Sequence, residues 1–258
     1  MNKRIDIFVA EKIGISRNKA KALIDEGLVK VDGVFVDKPS FVVHDEANVE
    51  ILPHKTYVSR GAFKLLGVIE KFKLNFDDII VTDIGASTGG FTQVALENGA
   101  RKVYAVDVGK GELDKTLVAD ERVVNLEGMD VRALNYEEVE GTQLVIGDLS
   151  FISLKHIFPK LNQLFGKVEC VLLFKPQFEC GRTIANKYRG VIKDKKVHEK
   201  LLLEMAEEIE LYDWVLSDLT FSSIKGGSGN IEYLLHLNGK RVERFDIKEV
   251  VSQAFKTL

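Results

Sequence analysis

The period of apolar and polar positions changes along the chain, and the change separates two kinds of architecture. Up to about residue 52, short apolar segments are divided by charged and glycine-containing turns. From residue 79 onward, apolar runs of strand length alternate with segments of helical spacing, as in a parallel, doubly wound sheet. The sequence therefore predicts an α/β protein with a small N-terminal domain (1–52), a linker (53–58) and a larger domain (59–258).

The N-terminal segment predicts two short helices followed by a small sheet. Apolar spacing indicates a first helix that begins near Ile5, and a second helix is expected over Arg17–Glu26, with Gly27 ending it. Asp32-Gly33 lies between two apolar segments, which is the signal of a two-residue hairpin turn. The apolar segments 41–43 and 49–52 are expected to extend the same sheet.

The larger domain predicts seven strands with helices between most of them. The connection between the last two strands is too short for a crossover helix, so these strands should pair antiparallel. Helices are expected from Val58 through Phe72, over 194–211 and over Ile247–Phe255, and segment 179–190 is expected to be a basic loop. The predicted strands are 79–84, 102–107, 122–126, 143–148, 168–175, 214–222 and 231–237.

A small-residue turn lies between the first of these strands and the following helix. Its glycines allow positive φ angles and close approach of a ligand, and the helix start leaves backbone N–H groups free. Two cofactor classes fit the turn. As a dinucleotide fingerprint it would use Asp107 on ribose hydroxyls, whereas Asp83-x-Gly85-x-Ser87-x-Gly89 fits the first motif of S-adenosylmethionine-dependent methyltransferases. The antiparallel end of the predicted sheet favours the second class.

Composition indicates a soluble globular protein and gives no whole-chain electrostatic signal. Of 258 residues, 45% are hydrophobic and 29% are charged, and the formal net charge is −3. This charge neither favours nor excludes nucleic acid as a partner, so a basic surface would have to be local. The placement of the two cysteines and the lack of a secretory or membrane-spanning segment predict a cytoplasmic protein without disulfides or a membrane anchor.

Ionisable residues stand at the ends of three predicted strands. Asp148 and Lys175 end parallel strands, Glu232 opens the last antiparallel strand, and Lys64 lies among apolar residues of the preceding helix. Because the carboxyl ends of parallel strands meet at one edge of the sheet, these side chains are expected to lie together. Each residue taken alone is equally compatible with a helix cap, a salt-bridge partner or a surface lysine.

The N-terminal motifs resemble the S4 RNA-binding domain, and the order Lys64, Asp148, Lys175, Glu232 resembles the catalytic tetrad of FtsJ-type RNA ribose 2′-O-methyltransferases. Taken together, the chain resembles the TlyA, or haemolysin A, family of ribosomal RNA cytidine 2′-O-methyltransferases. The segments that carry the resemblance are Arg4-Ile5-Asp6, Ser16-Arg17-x-x-Ala20, Ile24-x-x-Gly27-x-Val29-x-Val31-x-Gly33, Lys38-Pro39-Ser40, 83–91, 148–153 and 175–179.

This resemblance implies an S4 domain before a Rossmann-like class I methyltransferase domain, with S-adenosylmethionine as cofactor, no metal, and ribosomal RNA or ribosomal subunits as partner. The residues implied in cofactor binding are Asp83, Gly85, Ala86, Ser87, Thr88, Gly89, Gly90, Phe91, Asp107, Asp130 and Asp148. The S4 resemblance implicates Arg17, Lys19, Lys21, Lys30 and Lys38 in RNA binding, with Arg4 and Arg60 as further candidates. The basic character of loop 179–190 leads to a separate hypothesis, that this loop orders over the RNA with Arg182, Lys187 and Arg189 on phosphates. For Asp130, contact with the adenine amino group and capping of a loop remain alternatives.

The implied chemistry gives the tetrad distinct roles. A ribose hydroxyl is a poor nucleophile near neutral pH, and the resemblance implies that Lys175 takes up its proton. Burial and the charge of Lys64 favour the neutral lysine that this requires, whereas Asp148 and Glu232 oppose it, so the carboxylates are expected to orient the lysines and the hydroxyl. Two other functions remain open: an RNA-binding protein without methyl transfer, and a membrane-active haemolysin, which only the second family name suggests.

Overall fold

The chain divides into two compact units, Met1–Thr56 and Tyr57–Leu258, each with an apolar core of its own. The expected helix end at Gly27 and residues 53–56 of the expected linker lie outside the described residues. The computed structural model describes residues 2–25, 28–36, 38–44, 47–51, 57–239 and 245–258.

The first unit packs two helices against short strands around buried aliphatic side chains such as Ile5, Val9 and Ile24. One sheet has the order β3-β2-β5, and a separate two-stranded sheet pairs β1 with β4. Its elements are β1 (Asn2–Arg4), α1 (Ile5–Ile13), α2 (Arg17–Asp25), β2 (Val29–Val31), β3 (Val34–Phe35), β4 (Val42–His44) and β5 (Val49–Ile51).

Two expectations for this unit have different outcomes. The hairpin is confirmed, because β2 pairs antiparallel with β3, and Asp32 and Gly33 have φ angles of 51° and 81° as a primed turn requires. The expected joining of segment 41–43 to the same sheet is wrong. β4 pairs instead with β1, whose charged sequence shows no strand period. Of the two apolar segments expected to extend the hairpin sheet, 49–52 alone does so, through pairing of β5 with β2.

The second unit alternates strands and helices, with two short helices before its first strand. Its helices are α3 (Ala62–Leu66), α4 (Ile69–Phe72), α5 (Gly90–Glu97), α6 (Lys115–Val118), α7 (Phe158–Phe165), α8 (Pro176–Glu179), α9 (Gly181–Lys187), α10 (Lys195–Glu210) and α11 (Ile247–Thr257). Its strands are β6 (Ile80–Ile84), β7 (Lys102–Asp107), β8 (Val123–Glu127), β9 (Leu144–Gly147), β10 (Glu169–Phe174), β11 (Leu216–Phe221) and β12 (Tyr233–Leu237).

These strands form a seven-stranded sheet in the order β11-β12-β10-β9-β6-β7-β8. The five strands from β10 to β8 in this order are parallel, and β12 is antiparallel to both β10 and β11. The predicted antiparallel hairpin is therefore confirmed. As a consequence, the carboxyl ends of β6, β7, β9 and β10 and the start of β12 lie at one edge of the sheet.

Apolar layers cover both faces of this sheet. Along β10, the side chains of Cys170, Leu172 and Phe174 belong to one core and those of Val171 and Leu173 to the other, as the two-residue period of a strand requires. The covered sheet is a rigid base for the loops at its edge. No helix among the described residues combines the length and the apolar character that crossing a bilayer requires.

Two helix expectations need correction. The helix expected from Val58 through Phe72 is two helices, because the chain turns at Gly67, where an added Cβ would lie 3.2 Å from Ser223 Oγ. The loop expected over 179–190 contains the end of α8 and all of α9. Ile184 and Tyr188, one helical turn apart, pack on the main core and explain why this glycine-containing segment is helical.

Candidate active site

The turn after β6 has positive φ angles at two of its glycines, as its sequence predicts, and at one serine. Gly85, Ser87 and Gly89 have φ angles of 82°, 48° and 96°. A Cβ on Gly85 would lie 3.0 Å from the backbone oxygen of Asp148, and one on Gly89 would lie 2.2 Å from a methyl group of Leu117. Gly85 thus lets two loops meet closely, whereas Gly89 lets helix α5 begin against α6.

Asp83 lies beneath this turn and lines neither of the two cavities at the sheet edge. Its carboxylate is fully buried and accepts a hydrogen bond of 2.7 Å from Thr92 Oγ1. Burial raises the pKa of Asp83 to about 7, against the opposing hydrogen bond from Thr92. The geometry supports a role in holding the turn on α5 rather than direct contact with a ligand.

The raised pKa of Asp83 gives a test of stability against pH. Its ionised form is disfavoured in the folded chain, so stability falls as pH rises from the ordinary aspartate range to about 7. We expect Asp83→Asn to gain about 2 kcal/mol of unfolding free energy over wild type between pH 5 and pH 8.5, from urea titrations. The exposed Asp77→Asn should show no such gain, and equal behaviour of the two variants would contradict the assignment.

A cavity of about 480 Å³ lies between the turn, the end of β7 and the 3-10 turn Val131–Ala133. Asp107 borders it and accepts hydrogen bonds from the backbone N–H groups of Ser87 and Gly109, at 2.8 and 2.7 Å. Asp130 also borders it, but its carboxylate caps the 3-10 turn and pairs with Arg132. Asp130 therefore caps the turn, which is one of the two expected alternatives, and its carboxylate remains partly exposed at the cavity.

A second cavity, of about 660 Å³, brings the four predicted catalytic residues together. Asp148 lies between the two lysines, with Lys175 Nζ 2.6 Å from Oδ1 and Lys64 Nζ 3.1 Å from Oδ2. Lys64 Nζ also lies 2.8 Å from Glu232 Oε2. The side chains of Lys64, Lys175 and Glu232 are only 10%, 7% and 3% exposed, so the cluster is largely withdrawn from solvent.

Electrostatics fix the charge of two members of this cluster. Burial alone would lower the pKa of Lys64, but the carboxylates of Asp148 and Glu232 outweigh it and raise that pKa above its ordinary value. Burial alone would raise the pKa of Asp148, but the ammonium groups of Lys175 and Lys64 outweigh it and lower that pKa. Lys64 is thus a permanent cation and Asp148 a permanent anion near neutral pH.

Two residues of the loop after β9 were given no role by the sequence. Ser150 Oγ accepts a hydrogen bond of 2.8 Å from Lys175 Nζ. Phe151 is 90% exposed, has a φ angle of 63°, and lies with its ring centroid 5.2 Å from that of Phe178. The sequence signal that could have indicated Phe151 is that it is an aromatic residue three positions after Asp148, the acidic residue that follows β9.

The predicted RNA-binding residues lie in both units. In the second unit, Arg60, Arg182, Lys187 and Arg189 are exposed, and Arg60 borders the larger cavity. The segment after α9 is held by Asn230, whose side chain donates to the oxygen of Gly190 and accepts from the N–H of Ile192.

In the first unit, Arg4 and Arg17 share the buried carboxylate of Asp6, at 3.1 and 3.0 Å. Both guanidinium side chains remain about half exposed, so the shared carboxylate orients them without removing them from the surface. Lys19 and Lys38 are exposed, and Lys21 and Lys30 are half-buried.

Comparisons with known proteins place this geometry in a family. The FtsJ-like methyltransferase family matches residues 57–239, and the S4 domain matches residues 3–49. The 16S/23S rRNA (cytidine-2′-O)-methyltransferase TlyA of Mycobacterium tuberculosis is 38% identical over 91% of this chain and 89% of its own length. The chain belongs to the TlyA family. The 23S rRNA (cytidine-2′-O)-methyltransferase TlyA of Campylobacter jejuni is 35% identical, over 90% of this chain and 98% of its own.

A solved structure from Streptococcus thermophilus, provisionally described as a hemolysin, agrees with this TlyA family assignment. It is 39% identical, covers 99% of this chain and 96% of its own, and superposes with a TM-score of 0.72. The FtsJ-like match includes the glycine turn and the whole cluster of Lys64, Asp148, Lys175 and Glu232. Within the described residues of this TlyA family member, no three potential metal ligands come together as a metal site.

Proposed function

We propose that this TlyA family member transfers a methyl group from S-adenosylmethionine to a ribose 2′-hydroxyl of ribosomal RNA, at a cytidine. The observation that carries the proposal is the buried Lys64-Asp148-Lys175-Glu232 cluster, set in a cavity beside the glycine turn. The names of the relatives from M. tuberculosis and C. jejuni, both cytidine 2′-O-methyltransferases of rRNA, support the choice of substrate.

The residues around the turn fit S-adenosylmethionine. The cavity of about 480 Å³ has the size of a small-molecule site, and Gly85 and Ser87 of the turn border it. Asp107 is suited to ribose hydroxyls and Asp130 to an amino group, while Ser87 and Asp148 border both cavities. When bound, the cofactor supplies an electrophilic methyl group on a positively charged sulfur.

We infer that Lys175 takes up the proton of the ribose hydroxyl, and the geometry of the cluster supports this role. Lys64 is held as a cation, and Asp148 is a weak base because Lys64 Nζ and Lys175 Nζ engage its two oxygens. Lys175 accepts the proton in its uncharged amine form and thereby becomes an ammonium ion paired with Asp148. Lys175 has its Nζ on Ser150 Oγ at the junction of the two cavities, where a hydroxyl can reach it. Lys64, Asp148 and Glu232 orient that amine, and alignment of the hydroxyl supplies much of the acceleration.

Phe151 supports a nucleic-acid substrate. An aromatic side chain that is 90% exposed beside a catalytic cavity offers a face on which a nucleobase can stack, and each such stack contributes about 1–3 kcal/mol. Phe178 packs against Phe151 and also lies 5.6 Å from Lys175 Nζ, measured to its ring centroid. A base on Phe151 would therefore bring its own ribose close to Lys175.

The exposed cations provide contacts to phosphates, which give affinity and register but little base specificity. In the first unit, Arg4 and Arg17 are the best-oriented candidates, because Asp6 fixes both guanidinium groups. In the second unit, the candidates are Arg60 at the cavity and the basic residues on and after α9.

Replacement of Arg182, Lys187 and Arg189 by alanine tests the α9 contacts. We expect the KM for RNA to rise about tenfold with kcat nearly unchanged, and the salt dependence of binding to fall by roughly 2–3 counterions. The control is a triple alanine variant at the exposed residues Lys71, Lys248 and Lys256, which removes the same charge elsewhere. Unchanged RNA kinetics of the α9 variant would exclude this surface.

The proposed function is tested by methyl transfer from labelled S-adenosylmethionine to ribosomal subunits that lack the modification. Blocked alkaline cleavage at one ribose of the product would establish 2′-O-methylation and identify the nucleotide. Cofactor binding without transfer to either subunit or to free rRNA would favour a non-catalytic RNA-binding role. A lack of cofactor binding would overturn the assignment of the glycine turn.

A further inference from the structure

Glu179 ties together the two loops that border the catalytic cavity. It ends α8, which begins directly after Lys175, and its carboxylate reaches the segment that follows β9. There it accepts a hydrogen bond from Ser153 Oγ and another, of 2.9 Å, from the backbone N–H of Leu154. One side chain thus fixes the chain after β9 to the chain after β10.

This contact involves a carboxylate that is costly to bury. Its hydrogen-bond donors are a hydroxyl and a backbone N–H, so its charge is stabilised mainly by dipoles, with Lys155 and His156 nearby. Burial raises the pKa of Glu179 despite both hydrogen bonds and the neighbouring Lys155 and His156 side chains. A glutamine, with an amide oxygen and no charge, would hold Leu154 equally well, which provides a conservative comparison.

The segment that Glu179 holds carries a conformation that needs support. Phe151 has a φ angle of 63°, and a bulky side chain pays roughly 1–2 kcal/mol in that region of the backbone. Its ring is 90% exposed, so burial against a core does not supply the compensation. The supports are Phe178, which contacts its ring, and the hydrogen bonds of Glu179 just beyond it in the chain.

We propose that Glu179 is a positioning residue for methyl transfer, which holds loop 148–153 so that Phe151 presents its ring to the target nucleobase. Its effect on the reaction rests on the proposed function; its effect on the loop does not. Glu179 borders neither cavity, so it acts through that loop, which lines both of them.

Hydrogen exchange tests the effect on the loop without any assay of activity. In Glu179→Ala, the amide of Leu154 and the peptide covering 148–157 should exchange at least tenfold faster than in wild type, with the glycine turn 85–90 unchanged. Glu179→Gln should restore most of the protection. Equal protection in all three proteins, or equal loosening of the turn and the loop, would overturn the proposal.

A double-mutant cycle tests the effect on the reaction. Phe151→Ala should lower kcat/KM for rRNA by roughly 30-fold and Glu179→Ala by roughly tenfold, whereas the double variant should stay within about twofold of Phe151→Ala. Affinity for S-adenosylmethionine should fall less than kcat/KM for rRNA in each variant, because loop 148–153 forms only one side of the cofactor cavity. Independent, multiplicative losses would show that Glu179 has only a general structural role and would overturn the proposal.

Two further comparisons cover the cases in which Glu179→Ala does not fold or wild type is inactive. If Glu179→Ala does not fold, Ser153→Ala removes one of the two hydrogen bonds and should give a smaller loss with the same dependence on Phe151. If wild type transfers no methyl group to rRNA, the proposed function fails while the exchange experiment still decides whether Glu179 holds the loop.

Discussion

Replacing Lys175 by alanine should abolish methyl transfer, with a fall in kcat of at least about 1,000-fold. Lys175 is the cluster member assigned to the proton, and without it the hydroxyl has no acceptor held in place. Affinities for S-adenosylmethionine and for rRNA should change less than about threefold, because the glycine turn and the exposed cations are untouched. Single-turnover transfer and equilibrium binding of both ligands measure these quantities separately.

The matched control is Lys71→Ala, which removes an exposed lysine of α4 that borders neither cavity. It should be as active as wild type. Retention of more than about a tenth of the wild-type kcat in Lys175→Ala would show that another group, or solvent, takes the proton.

Asp148→Asn should give the second large loss, in both activity and stability. The change leaves the ammonium groups of Lys64 and Lys175 facing an uncharged amide in a site that is largely withdrawn from solvent. Breaking a buried pair in this way costs on the order of 3 kcal/mol, and misplacement of Lys175 should lower kcat by about 100-fold or more. Urea unfolding and single-turnover kinetics give the two values.

The pH dependence identifies the cause of the stability loss. The pKa of Asp148 is lowered in the folded chain, so the stabilisation by its ion pairs is fully present above the ordinary aspartate pKa and is lost as pH falls through the folded value. The difference in unfolding free energy between wild type and Asp148→Asn should therefore be constant near neutral pH and narrow below about pH 4. A difference that does not depend on pH would point to packing instead of charge.

The sheet and the ionisable cluster at its edge were predictable, because the sequence shows where each apolar strand runs and which residue stands at its end. Apolar runs located the seven strands, and the short connection before β12 predicted its antiparallel pairing. The convergence of strand ends then predicted that Asp148, Lys175 and Glu232 would meet, as they do. These inferences use only backbone geometry, which a sequence pattern reports well.

Other features depend on contacts between residues distant in sequence, and no local pattern reports them. The pairing of β1 with β4 joins a charged segment to an apolar one, so its strand character appears only in the fold. At the break after α3, Ser223 packs against Gly67 and donates a hydrogen bond to the backbone oxygen of Phe63, while Ile184 of α9 packs on the core. The position of Phe151 likewise depends on Phe178, on the next strand connection.

The two lysines and two carboxylates of the catalytic cluster cancel one another's charge. A polyanion approaching the cavity should therefore experience no net attraction from the groups proposed to perform the chemistry, and the proposed attraction comes from cations placed elsewhere, such as Arg60 and the α9 residues. Under the proposed function, substrate capture and reaction depend on different charges. Added salt should consequently weaken the encounter with RNA while leaving the rate of the bound complex almost untouched.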